Sequence, residues 1–129
     1  MKILIVDNDM SVGTTVKAAL GLNPSYEVDL SLGAKEGIEK MKENEYSLLL
    51  VDFMMPEVSG VDLCKIMADD EKMKNIPVVL ISALPISSTA FQEANDNFQN
   101  ISVIKGLLEK PFSVTDLLKK VEDLLPTNK

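Results

Sequence analysis

Three four-residue apolar runs, each closing on a polar residue, constrain this chain more than any other feature. They are Ile3-Leu4-Ile5-Val6 before Asp7-Asn8-Asp9, Leu48-Leu49-Leu50-Val51 before Asp52, and Val78-Val79-Leu80-Ile81 before Ser82. A strand wetted on one face alternates apolar and polar residues. An unbroken run belongs to a strand covered on both faces, as in parallel sheets flanked by helices. Ligands of open α/β sheets bind outside the carboxyl ends of the strands. If the three runs are neighbours in one such sheet, Asp7, Asn8, Asp52 and Ser82 share a crevice. Lys110, before Pro111-Phe112, joins them from the end of a later strand. Carboxylates, a hydroxyl and an ammonium at one point suit a divalent cation and a phosphoryl group.

Strand and helix patterns alternate about five times, which predicts one domain over 1–129 with a parallel sheet covered on both faces. Helix one starts near Ser11 and buries Val12, Val16, Ala19 and Leu20 before Gly21 and Asn23-Pro24 end it. Residues Tyr26 to Ser31 alternate, as a half-exposed edge strand does. Helix two covers Ala34 to Glu43. Ser59 caps a third helix with Asp62 three residues on, and Leu63, Ile66 and Met67 form its inner stripe. A fourth helical segment, 87–98, has a thin stripe of Ala90, Phe91, Ala94 and Phe98. Strand five is expected at Val103–Leu108. The last helix starts at the Ser113 cap, carries Val114, Leu117, Leu118, Val121, Leu124 and Leu125 at helical spacing, and stops at Pro126.

A net charge of −7, with no arginine and no histidine, argues against direct nucleic-acid binding, which leans on basic surfaces and bidentate arginine. It also removes imidazole metal sites and triads with a histidine base. No apolar run approaches bilayer-spanning length. The chain enters a strand at once without a secretory leader and has a lone Cys64, so a reducing cytoplasm is the expected setting. Cys64 falls on the inner stripe of the third helix and reads as core.

Asp52 stands between a buried strand and Phe53-Met54-Met55-Pro56, with Gly60 beyond. Alone, such an aspartate reads first as turn chemistry; in this context it reads as a nucleophile that can form an acyl phosphate. Two carboxylates 4 Å apart repel by about 4 kcal/mol at an effective dielectric of 20, which a divalent cation relieves. Asp9 reads first as the N-cap of helix one and second as a ligand. Ser82 offers a hydroxyl to a phosphoryl oxygen or to its own backbone.

These residues resemble the receiver domain of two-component response regulators over nearly the whole chain. The resemblance rests on Lys2 to Asp9, Val51-Asp52 through Ser59-Gly60, Val78 to Ala83, and Glu109-Lys110-Pro111-Phe112. It implies a flavodoxin-like, doubly wound sheet of five parallel strands in the order 2-1-3-4-5 with five helices. It implies that Asp52 accepts a phosphoryl group from a histidine kinase or phosphotransfer protein. Mg²⁺ would be held by Asp7, Asp52 and the backbone carbonyl of Met54, with the Asn8 amide in place of the family's second acid. Ser82 and Lys110 would take the phosphoryl oxygens, and the Lys110–Pro111 bond would be cis. Output would pass to a downstream protein, or to a second copy in a homodimer, through the face of the fourth helical segment, strand five and last helix. The expected form is a stand-alone or excised receiver.

The chain departs from the family at named places. Asn8 removes one negative charge, so Mg²⁺ binding is expected to be weaker. Leu107 stands where the family's switch aromatic lies, three residues before the lysine. The stretch from Ser82 to Lys110 is several residues longer than usual. Met54 and Leu84 flank the site with apolar groups, expected to hinder an attacking water. A pseudo-receiver, with the same fold and a constitutive binding surface, is the alternative: Asn8 and Leu107 favour it, and Asp52, Ser82 and Lys110 oppose it. A remoter resemblance is to haloacid-dehalogenase-type phosphatases, with Asp7 as nucleophile and Asp9 as acid/base.

Overall fold

The computed structural model describes residues 1–55, 58–83 and 101–125. Along them run β1 (Lys2–Val6), α1 (Met10–Leu20), β2 (Glu27–Ser31), α2 (Ala34–Glu43), β3 (Leu48–Asp52), α3 (Gly60–Ala68), β4 (Val78–Ser82), β5 (Ile104–Glu109) and α4 (Val114–Leu124). The strands form one sheet in the order β2-β1-β3-β4-β5. Every neighbouring pair is parallel. This is the expected doubly wound, flavodoxin-like order. The helical segment expected at 87–98 lies outside the described residues, so α4 here is the last helix, after the Ser113 cap.

The apolar runs serve two cores at once. Ile3, Ile5, Leu48, Leu50, Val79 and Ile81 face one core, closed by Val16 and Leu20 of α1 and by Leu117 and Val121 of α4. Leu4, Val6, Leu49, Val51, Val78 and Leu80 face the other, closed by Met41 of α2 and by Leu63 and Met67 of α3. The period of two sends successive side chains to opposite faces, and helices on both faces make both apolar. Each such side chain, fully buried, contributes roughly 1.5–3 kcal/mol of transfer free energy.

The edges differ. On β2, Val28 and Leu30 pack on the α1/α4 core, while Asp29 accepts a hydrogen bond from Tyr46 Oη at 2.6 Å. On β5 the register slips: Val78 pairs with Ile104 but Val79 pairs with Gly106. Lys105 is the extra residue of a bulge. Alternation restarts after it, so Ile104 and Leu107, an odd number of residues apart, both pack on the α2/α3 core. The strand runs Ile104–Glu109, one residue later at each end than the expected Val103–Leu108.

Three helices begin on side-chain caps. Asp9 accepts from the Ser11 and Val12 amides at 3.0 and 3.3 Å. Ser59 accepts from Asp62 N at 3.1 Å and Ser113 from Asp116 N at 3.0 Å. Each cap is worth about 1 kcal/mol. Helix α2 begins at Gly33 without one; instead Glu36 Oε1 reaches back to the Leu32 amide at 2.9 Å.

Candidate functional site

Asp7 follows β1 directly. Its amide donates to the Ser31 carbonyl on β2 at 3.0 Å, and its Oδ1 accepts from Asp9 N at 2.8 Å. These bonds hold the carboxylate under the surface, 1% exposed. Asp52 ends β3 and is 6% exposed. Beyond it, Phe53 N donates to Ile81 O at 2.7 Å, and Met54 N donates to Asp52 Oδ1 at 3.2 Å. Ser82, also buried, ends β4. Its carbonyl accepts from Lys110 N at 2.7 Å, which sets the start of the Lys110 side chain beside that strand end. The ammonium lies 3.5 Å from Asp7 Oδ2 and 3.8 Å from Asp52 Oδ2. The Lys110–Pro111 peptide is cis.

The fold therefore gathers Asp7, Asp52 and Lys110 side chain to side chain and brings Ser82 to the adjoining strand end. Asn8 stands exposed in the loop after Asp7. Met54 is 59% exposed at the mouth. Leu107 lies opposite Leu80, partly buried on the α2/α3 core. Leu84 falls outside the described residues.

Charge is unbalanced here. Burial pushes the Asp52 carboxyl up to about 6, and the charge of Asp7 adds to the rise; Lys110 and the Met54 amide oppose it. Asp7 Oδ2 is buried without a hydrogen-bond partner. An unmet buried acceptor costs about 1–3 kcal/mol. One ammonium beyond hydrogen-bond length does not neutralise two carboxylates. Among the described residues no group of three or more Asp, Glu, His or Cys side chains collects. Two carboxylates with an unmet oxygen, completed by a backbone carbonyl and water, form a donor set that fits Mg²⁺, which keeps several of its waters.

Asp9 is otherwise engaged. The Ser11 hydroxyl, then the Val12 amide, hold its carboxyl below the usual range. Its Oδ1 accepts from Ser11 N, Ser11 Oγ and Val12 N, so Asp9 serves as the cap of α1, which disfavours the acid/base role of the phosphatase resemblance.

Gly60 carries a packing role that the sequence pattern alone does not show. Its Cα packs against the peptide of Asp52 itself: a Cβ there would collide with the Asp52 carbonyl oxygen and crowd Phe53 Cα. Gly60 N donates to Phe53 O at 3.1 Å. Only a residue without a side chain lets α3 start this close to the acid. The Ser31 carbonyl that seats Asp7 had no sequence signal, because a backbone acceptor carries none.

The sequence model of the family described as "Response regulator receiver domain" matches residues 3–122. The chain belongs to that family. This receiver domain is 30% identical over 127 residues to "Chemotaxis protein CheY-3" of Vibrio cholerae, covering 96% of this chain and 91% of the relative. It is 25% identical to "Response regulator ArlR" of Staphylococcus saprophyticus, over 96% of this chain and 52% of the relative. It thus spans about half the length of ArlR. A two-component response regulator structure from Clostridium difficile superposes with a TM-score of 0.83 at 25% identity, over 98% of this chain and 96% of that one. A Francisella receiver domain does so at 0.80 and 29% identity, over 97% and 96%. The chain is a receiver domain of two-component signal transduction. Among the described residues no helix is long and apolar enough to cross a membrane.

Proposed function

We propose that this receiver domain is a phosphorylation switch in which Asp52 is the acceptor. The observation that carries the reading is the buried Asp7–Asp52 pair sharing one lysine, with Asp7 Oδ2 left unmet. Asp52 attacks the phosphorus of a phosphohistidine on a histidine kinase or phosphotransfer protein. The new O–P bond forms as the donor's N–P bond breaks, and the imidazole leaves with the bonding pair. Asp7, Asp52 and the Met54 carbonyl, with Asn8 at the rim, would hold Mg²⁺. Bound there, Mg²⁺ supplies the positive charge that lets a carboxylate and phosphoryl oxygens approach. Lys110 is already placed to pair with a phosphoryl oxygen, and Ser82 offers it a hydroxyl. The domain transmits a state rather than turning over a substrate. Its output surface is the face of β5 and α4, toward a downstream protein or a second copy; the expected fourth helical segment lies outside the described residues. A cytoplasmic setting fits a kinase-addressed switch, and residues 1–129 act as one receiver unit.

The test is incubation with acetyl phosphate and Mg²⁺, read by intact mass beside an Asp52→Asn control. The expected result is gain of one phosphoryl group in the parent alone. No gain, with no Mg²⁺ binding by titration, would replace this reading with the pseudo-receiver and make Asn8→Asp the first restoration to try.

A further inference from the structure

A groove of about 350 Å³ opens between the start of α2 and the loop after β3, lined by Leu32, Gly33, Ala34, Met55 and Val58, with Lys35, Glu36 and Glu39 also on its walls. That volume lies at the lower end of ligand pockets and has room for an aliphatic side chain together with the backbone and neighbouring groups that carry it. Leu32 is 44% exposed and Met54, next to Met55, is 59% exposed. Methionine adapts to varied partners, and contiguous exposed apolar surface rimmed by polar groups marks a contact site.

Its charge selects the occupant. Among the described residues two acids, Glu36 and Glu39, stand against one base, Lys35, on a protein of net charge −7. The Leu32 amide bonds Glu36 Oε1 at 2.9 Å and fixes that carboxylate at the helix entrance. Each wall is also tied to a site aspartate: Ser31, before Leu32, receives the Asp7 amide, and Met54, before Met55, donates to Asp52.

We propose that this groove docks a partner segment presenting one apolar side chain flanked by basic residues. The apolar side chain fills the space over Ala34, Met55 and Val58. The basic flanks meet Glu36 and Glu39 and avoid Lys35.

The probe is a synthetic peptide with one leucine between paired lysines, titrated into the isotope-labelled, unphosphorylated protein and followed by amide chemical shifts. The expected shifts centre on Leu32, Gly33, Met55 and Val58. A peptide with serine for the leucine should bind at least tenfold more weakly. Gly33→Val narrows the groove from an extended position where an added Cβ meets nothing within 4 Å, and should weaken binding at least tenfold. Glu39→Lys should weaken it about threefold or more. Circular dichroism and melting check that each variant folds; if Gly33→Val does not, Leu32→Ser at an exposed position takes its place. Absent shifts, shifts spread over the acidic surface, or equal affinity for the serine peptide overturn the proposal. So does binding that a folded groove variant leaves unchanged.

Discussion

At the amino-terminal end of the sheet, the Lys2 ammonium donates to Asn44 Oδ1 at 2.7 Å and lies 3.7 Å from Glu27 Oε2. It stands 5.6 Å from the centre of the Tyr46 ring, whose hydroxyl donates to Asp29 Oδ2 at 2.6 Å. At the carboxyl end, Lys110 serves two buried carboxylates at 3.5 and 3.8 Å, and Asp7 Oδ2 has no hydrogen-bond partner. Both ends use aspartate and lysine. The first shares its charges among partners and keeps them partly wetted. The second dries its acids and leaves them short of positive charge. Interactions at the first end stabilise the fold; the second keeps a negative charge that a bound cation would offset.

The largest expected break in this contrast is Lys110→Met. Removing the one ammonium strands two buried carboxylates and should lower the unfolding free energy by about 3 kcal/mol in urea titration. It should also raise the Asp52 pKa further, read by carbon-detected NMR titration. A loss no larger than that of an exposed pair would show the carboxyl end to be as well balanced as the other.

Asp52→Asn sharpens the contrast from the opposite side. The folded-state pKa of Asp52 sits near 6, above its ordinary 3.8. Its ionisation therefore opposes folding. The parent's stability is fully present below the unfolded pKa and falls as pH rises through about 6. Asn carries no such charge, so the variant should be more stable by about 1–2 kcal/mol at pH 7. The gain should shrink toward zero as the pH is lowered to about 4. Added Mg²⁺ should raise the melting temperature of the parent more than that of the variant. A pH-independent difference would contradict this account.

Smaller effects belong to the amino-terminal end. Tyr46→Phe deletes the bond to Asp29, which is half-buried and recovers water, so the expected loss is about 1 kcal/mol. Lys2→Met breaks partly exposed contacts and should cost about 0.5 kcal/mol, fading in high salt. A cost for Lys2→Met rivalling that of Lys110→Met would erase the distinction between the ends.

The central sheet was legible because Leu48 to Val51 and its counterparts are apolar on both faces, a pattern few other structures produce. The caps at Asp9, Ser59 and Ser113 were legible because capping is local. Asp52, Asp7, Ser82 and Lys110 could be placed together from their positions at strand ends alone. The contacts of Tyr46 with Asp29 and of Asp7 with Ser31 were not legible, since both depend on register between elements distant in sequence. The bulge at Lys105 was not legible either, because a single inserted residue inverts the alternation by which strands are read. Neither the groove beside α2 nor the exposure of Asn8 leaves any local pattern.

The close packing of Gly60 on the Asp52 peptide has a mechanical consequence. Helix α3 is clamped to the acid's own backbone by that contact and by the Gly60–Phe53 hydrogen bond, with no slack for a side chain to absorb. A displacement of Asp52 would therefore be met at the first turn of α3 before any other helix, since that turn rests on the acid's own peptide.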